Sequence, residues 1–345
     1  MLITHEILDS SGHEDPGHPE RPARLDAVWA GVADLHLDGD VVRVPVRSAG
    51  RAELARVHEP VYLDQLGAFC FEGGGELDAD TYATYDSWPL PQQAAGTGLA
   101  VLDELHRRGE GVGFVAVRPP GHHALRDRAM GFCLINNVAV AAAALRSAGE
   151  RVAIIDWDVH HGNGTQAIFW NDPDVLYVSA HEWPLFPGSG VAAEVGGLTA
   201  VDRTVNLPLP AGATGDVVLQ ALEEVAGPVI DDFDPTWTLI SAGFDGHRDD
   251  PMADFALTSG DYARLARWVR GFARPGRLAV YLEGGYDLDA LRHSVAGTLA
   301  ELLDAPTTLE DRSQGGPGVD QVARIRTERK ATLQLVRAQA FGEAP

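Results

Sequence analysis

The sequence predicts an α/β protein, a mostly parallel sheet flanked by helices on both faces. Two observations carry that expectation. Short apolar runs alternate along the chain with longer amphipathic stretches, the pattern of strands buried on both faces and joined by crossover helices. Histidine and aspartate gather directly after the apolar runs, where open α/β sheets place their ligand sites.

The elements follow in order. Residues 20–35 (ERPARLDAVWAGVADL) read as a helix, and so do residues 92–109, ended by Gly109. A strand is expected over 111–117, then a Gly-ended helix over 136–149 and a strand over 152–156. A short helix near 164–170 leads to a strand over 174–180. Helices over 214–233, 259–273 and 288–303 then alternate with strands over 236–242 and 277–283. Glycines 73–75 read as a flexible rim loop. No phosphate cradle is expected there, since no lysine follows. Pro306 and SQGGPG (313–318) mark a break before a helix with a basic face over 319–341. The expected organisation is one domain over 1–305, then a linker and helical tail over 306–345.

Composition bounds the partners. Fifty acidic residues against 27 Lys and Arg leave a formal charge of −23. That argues against nucleic acid and anionic membranes and favours cationic ligands. Lys330 is the only lysine, a skew that reads as codon bias. No run approaches the ~20 apolar residues of a membrane span. The N-terminal stretch carries charge and histidine in place of a signal peptide's apolar core. Two cysteines, Cys70 and Cys133, suit a reducing compartment. Together these give a cytoplasmic expectation, with the oligomeric state open.

The chemistry concentrates at four strand ends. RPPGHH follows 111–117 with His122 and His123; Asp156, Asp158 and His160 leave 152–155. GFDGH follows 236–242 with Asp245, and EGGY follows 277–282 with Tyr286. Alone, each has an ordinary meaning: a turn aspartate, a packed histidine, a glycine loop. Their joint arrival at one sheet edge does not. Alternate side chains of an extended segment share a face, so Asp158 and His160 can meet one cation. Asp245 completes a three-ligand set with an open position, as a catalytic zinc requires. Asp156, one step deeper, suits an imidazole N–H. His122 and His123 supply acid/base groups, and Tyr286 an oxyanion donor. The set suits metal-assisted amide hydrolysis.

These motifs resemble the zinc-dependent histone deacetylase family, including bacterial deacetylase-like amidohydrolases and acetylpolyamine amidohydrolases. The resemblance rests on HPERPARL (18–25), RPPGHHA (118–124), GFCLINNVAVAA (131–142), IDWDVHHGNGTQ (155–166), FPGSG (186–190), SAGFDGHRDDP (241–251) and LEGGYDLDAL (282–291). ERPARL and Asn163 are closer to its class II branch. It implies an arginase-deacetylase fold and zinc on Asp158, His160 and Asp245. His123 would be general base, and His122 an electrostatic partner held by Asp156. Asn163 stands where class I enzymes carry an aspartate, and Tyr286 would polarise the acyl carbonyl. Phe132 and Phe186 match the walls of an acyl-lysine tunnel, with Gly131 on the chain and Leu185 beside Phe186. Asp80 matches a rim carboxylate, and Arg21 an internal channel. The resemblance further implies a potassium site from Asp156, Ser179, Ala180 and the carbonyls of Asp158 and His160. A second would use carbonyls of Phe169, Asp172 and Val175. The implied substrate is a small acylated amine or acyl-lysine.

Three other readings compete. A dinuclear manganese ureohydrolase needs an aspartate where His247 stands. A cysteine nucleophile would use Cys133 and leave the metal set unexplained. An inactive acyl-amine-binding relative would lack Tyr286, a metal ligand or the histidine pair, and none is missing.

Overall fold

The computed structural model describes residues 1–341. Its strands are β1 (Leu2–His5), β2 (Val41–Val44), β3 (Gly74–Glu76), β4 (Tyr82–Thr84), β5 (Val112–Val115), β6 (Val152–Asp156), β7 (Val175–Glu182), β8 (Thr204–Leu209), β9 (Trp237–Ala242) and β10 (Leu278–Leu282). Eight of them form one sheet in the order β2-β1-β5-β10-β9-β6-β7-β8, with every neighbouring pair parallel. The strands read from sequence as site-bearing are its centre. β5, β10, β9 and β6 lie side by side, so their carboxyl ends open onto one place.

Each central strand buries both faces. On one, Phe114, Ile155, Ile240 and Val280 pack with Leu25 and Val28 of helix Ala23–Ala33, Leu265 of Ser259–Arg270 and Leu291 of Leu288–Leu303. On the other, Val115, Ile154, Leu239 and Tyr281 meet Leu99 of helix Pro89–Arg108 and Val138 of Asn137–Ser147. Fully burying an aliphatic side chain of this kind contributes roughly 1.5–3 kcal/mol, and the period-two alternation supplies both layers from the same strands.

Several elements depart from the sequence expectation. β1, β2 and β8 were not expected. β8 contains Pro208, which cannot donate to a ladder and is tolerated because β8 is an edge. Helix Pro60–Phe71 was also missed; it is apolar on several sides, with Pro60 in its first turn. The glycine loop is a hairpin strand, Gly75 pairing with Ala83. The helix expected over 214–233 breaks into Gly215–Ala221, a π-helical stretch Leu222–Ala226 and Gly227–Phe233. Pro228 has no N–H to give. The wide turn before it lets the Gly227 N–H reach the Leu222 carbonyl five residues back.

Residues beyond 305 pack on the same body. Glu310 accepts from the Ser259 N–H, Ser313 is bound to Asp261, and helix Val319–Phe341 buries Val322 and Ile325 in the core. No helix among the described residues is long and apolar enough to cross a membrane.

Candidate active site

β6 delivers the first group. Past Asp156 the chain bends, the Asp158 N–H donating to Asp156 Oδ1 and the His160 N–H to Asp158 Oδ1; Trp157 and Val159 enter the core while Asp158 and His160 face the opening above the sheet. Asp245 arrives from β9. The His160 Nδ1 lies 3.2 Å from Asp158 Oδ1 and 3.1 Å from Asp245 Oδ2, and all three residues are buried. Backbone amides steady the carboxylates. The Gly284 N–H donates to Asp158 Oδ2 (2.8 Å) and the Val159 N–H to Asp245 Oδ1 (3.1 Å). Gly243 is required here, since a Cβ at that position would collide with the Asp158 carboxylate.

This triangle fits a small divalent cation. Ligands ~2.0–2.1 Å from a tetrahedral centre stand roughly 3.3 Å apart, close to the two spacings observed. Burial, and then the Asp158 charge, push the Asp245 carboxyl above its ordinary range, a conflict a cation between them relieves.

The histidine pair lies beside the triangle, ring centres 4.0 Å apart. His122 Nδ1 is 3.0 Å from Asp156 Oδ2, and His123 Nδ1 is 2.8 Å from Asn163 Oδ1. The two are held in opposite states. Burial works against charge on His122, yet the Asp158 and Asp156 carboxylates carry it up to about 10. Burial and two neighbouring imidazoles hold His123 well below the ordinary histidine value, and its partner is a neutral amide. An amide oxygen on Nδ1 calls for the N–H there, which leaves Nε2 as the acceptor.

Tyr286 lines the same cavity of ≈ 170 Å³, as do Phe132, Phe186 and Gly131. The Phe186 ring stands edge-on to His123 (5.1 Å) and the Phe132 ring edge-on to Tyr286 (5.7 Å). Leu185 and Met252 complete an apolar wall, and Asp80 is exposed at the mouth. Every residue placed at the reaction centre from sequence is thus brought together.

The supporting residues are a different matter. Arg21 is exposed; the buried arginine is Arg24, whose guanidinium lies 4.8 Å from the Tyr286 ring centre and donates to the carbonyls of Glu283 and Gly285. Sequence phase alone does not favour it over Arg21, since residues three apart share a helix face; the helix begins at Ala23, which sets Arg24 in the buried stripe with Val28 and Gly31 and leaves Arg21 before it. Glu20, Arg118, Asp250 and Glu283 were also missed. Glu283 accepts from the Gly121 and His122 amides and from the Ser241 hydroxyl.

Ser179 pairs with Asp156 across β6 and β7, its hydroxyl 2.9 Å from His181 Nδ1. Among the described residues the Asp158 and His160 carbonyls meet no hydrogen-bond donor, as a buried cation site requires. The second expected potassium set is less open. The Phe169 carbonyl accepts from Asp172 and the Asp172 carbonyl from Val175.

The competing chemistries find no geometry. His247 turns to Glu310, 2.8 Å away, and does not line the cavity. Cys133 is buried, its thiol held well above the ordinary value by that burial. His58 bridges the Leu125 carbonyl and the Asn136 amide, a packing role. His161 faces away from His160, towards Ser189 and Gln166.

Comparison with known proteins gives one answer. The histone deacetylase domain family matches residues 18–302. A Synechocystis protein, slr0245, is 40% identical over 296 residues, 84% of this chain and 94% of that one. The histone deacetylase-like amidohydrolase of Pseudomonas aeruginosa is 37% identical over 346 residues, covering 97% and 89%. Histone deacetylase 14 of Arabidopsis thaliana, a chloroplastic protein, is 35% identical over 328 residues, covering 87% and 76%. The crystal structure of the HDA15 HD domain superposes with a TM-score of 0.86 at 32% identity, over 99% of both chains.

Proposed function

The chain belongs to the histone deacetylase family and is a deacetylase, and from that premise we propose that it hydrolyses acetylated lysine side chains or acetylated polyamines with one zinc ion held by Asp158, His160 and Asp245. The observation that carries this reading is the meeting of the Asp–His–Asp triangle with a neutral, amide-bound His123 and the phenol of Tyr286 in one narrow cavity. When bound, the zinc supplies Lewis acidity to the acyl oxygen and the attacking water.

This chain's residues do the rest. Phe132, Phe186 and Gly131 hold the apolar part of the acyl-amine extended and exclude bulk water. His123 Nε2 takes the proton of the attacking water, its orientation fixed by Asn163 on the other nitrogen. His122, charged and tied to Asp156, offers a positive neighbour to the negative charge that develops. The Tyr286 hydroxyl donates to the acyl oxygen as it becomes an oxyanion. The amine then leaves with a proton returned through His123.

A structural potassium ion belongs to the same proposal, at Asp156, Ser179 and Ala180 with the carbonyls of Asp158 and His160. The donor-free carbonyls beneath the site support it.

The test is a metal analysis joined to a substrate panel. One zinc per chain, lost together with activity in a folded Asp245→Ala variant, is the expected result. Acetyl-lysine peptides and acetylpolyamines, assayed side by side, identify the substrate. Two tightly bound transition ions per chain would point to ureohydrolase chemistry. A zinc-loaded protein inert on every acylated amine would be a binding relative.

A further inference from the structure

We propose that Asp250 is a positioning residue for Tyr286 and acts on turnover only through where it holds that phenol; the inference rests on the reading of Tyr286 as the donor to the acyl oxygen.

The phenol needs such a device. Among the described residues no hydrogen bond fixes its hydroxyl. The ring lies edge-on to Phe132 at 5.7 Å and under the Arg24 guanidinium at 4.8 Å. Before it lie Gly284 and Gly285, the latter at φ 118°; their own backbone is held by Asp158, Phe244 and Arg24, but none of those bonds reaches the Tyr286 backbone. Ring packing alone is a poor guide for a group that must reach a developing charge within a few tenths of an ångström.

Asp250 supplies the bond to the Tyr286 backbone itself, from another loop. It leaves the chain after β9, is buried, and spends its carboxylate on backbone amides. Oδ2 accepts from Tyr286 N–H (2.6 Å) and Asp287 N–H (3.0 Å), and Oδ1 from Met252 N–H (3.1 Å). Bonds of a carboxylate to backbone N–H are among the strong ones. Asp287 in turn caps helix Leu288–Leu303, accepting from the Ala290 N–H at 2.8 Å. Tyr286 therefore stands between the glycine pair and a capped helix. Asp250 pins the backbone at the boundary. It does not line the cavity, so it cannot act on substrate itself.

The experiment is a double-mutant cycle on the metal-loaded enzyme: the parent, Asp250→Asn, Tyr286→Phe and both together. A misplacement of ~1 Å costs on the order of 100-fold. Asp250→Asn is therefore expected to lower kcat by about 10–100-fold, with KM and metal content unchanged. Added to Tyr286→Phe, the same change is expected to cost no further turnover, because the group it positions is already gone. Losses that multiply in the double variant would overturn the inference while leaving the reading of Tyr286 intact. So would near-parental turnover of Asp250→Asn. A near-parental Tyr286→Phe would sink the reading itself. Should Asp250→Asn fail to fold, amide exchange in the parent decides. The Tyr286 and Asp287 amides are expected to exchange slowly, and exchange as fast as an open loop would refute the clamp.

Discussion

Gly131 is the position where one added carbon tests the site most directly. Its φ is 55°, a left-handed conformation that costs an L-residue roughly 1–2 kcal/mol. A Cβ there would meet His123 Cδ2 at 2.5 Å, His123 Cγ at 2.9 Å and Phe186 Cε1 at 3.0 Å. Carbon atoms pack at about 3.5–4.0 Å, so in Gly131→Ala the His123 ring must retreat by about 1 Å. It is held by a 2.8 Å bond to Asn163, and a shift of that size takes it out of hydrogen-bond range. The expected cost is modest in stability, on the order of 1–2 kcal/mol and a few degrees of melting temperature. In turnover it is large, about 100-fold. The assay is kcat and KM on an acetyl-lysine peptide, with zinc content and thermal melting on the same preparation. The zinc ligands are untouched, so metal should stay. A folded, zinc-replete variant that turns over at close to the parental rate would mean that His123 does not stand where the base must stand.

Three further outcomes are expected. His123→Ala should cost more in turnover than His122→Ala, compared at equal metal content, because the neutral imidazole does the proton transfer and a general base is worth roughly 100–10,000-fold; equal residual rates would reverse the assignment. Glu20, fully buried, is pulled down to about 2 from 4.5: burial opposes the shift and the Arg118 and Arg24 charges overcome it. A depressed carboxyl gives stability that is complete above its unfolded value and lost as pH falls towards the folded one. Parent and Glu20→Gln should therefore differ by about 3 kcal/mol at neutral pH and converge in acid, as urea titrations at several pH values would show. Asp80→Asn at the cavity mouth should weaken the salt dependence of the specificity constant for a cationic acylated amine and leave a neutral acyl-lysine analogue flat; identical salt profiles for both substrates would reduce the acidity to a solubility feature.

The reaction centre was legible for a physical reason. Aspartate and histidine directly after a fully apolar strand are expensive unless they bind something, so Asp158, His160 and Asp245 become telling once several strand ends carry such groups together. The groups behind them do not. Asp250 and Glu283 look like ordinary loop carboxylates until the fold brings amides from other strand ends to them, 36 residues away in the first case and 162 in the second. Glu20 forms an i,i+4 pair with Arg24, but its burial makes sense only once Arg118, 98 residues on, joins it. Arg21 and Arg24, three apart, would share a helix face, so phase does not separate them; the helix starts at Ala23, which leaves Arg21 outside it and Arg24 in the buried stripe with Val28 and Gly31. The hidden strands fail in another way. β1 and β2 are four residues each, and β8 carries Asn206 and Pro208 in its run, so neither length nor alternation exceeds what a loop would show.

The distribution of buried charge links the two halves of the motif text. HPERPARL and LEGGY lie far apart in sequence, yet Arg24 from the first donates to the carbonyls of Glu283 and Gly285 in the second. Its charge is shared with Arg118 through Glu20, which receives 2.8 Å bonds from Arg118 and a 3.1 Å bond from Arg24. Two buried cations on one buried anion leave a surplus positive charge, a costly arrangement for stability alone. The surplus sits under the Tyr286 ring and feels the Asp245 carboxylate, one of several buried near the reaction centre with Asp156, Asp158, Asp250 and Glu283. Charged His122 and surplus Arg24 offset part of that negative charge, and cations at the Asp–His–Asp triangle and beside Asp156 would offset more. The arginine that anchors the LEGGY loop therefore also lowers the cost of burying the carboxylates around it. That is why the arginine helix and the glycine loop must be built together, although neither contributes a metal ligand.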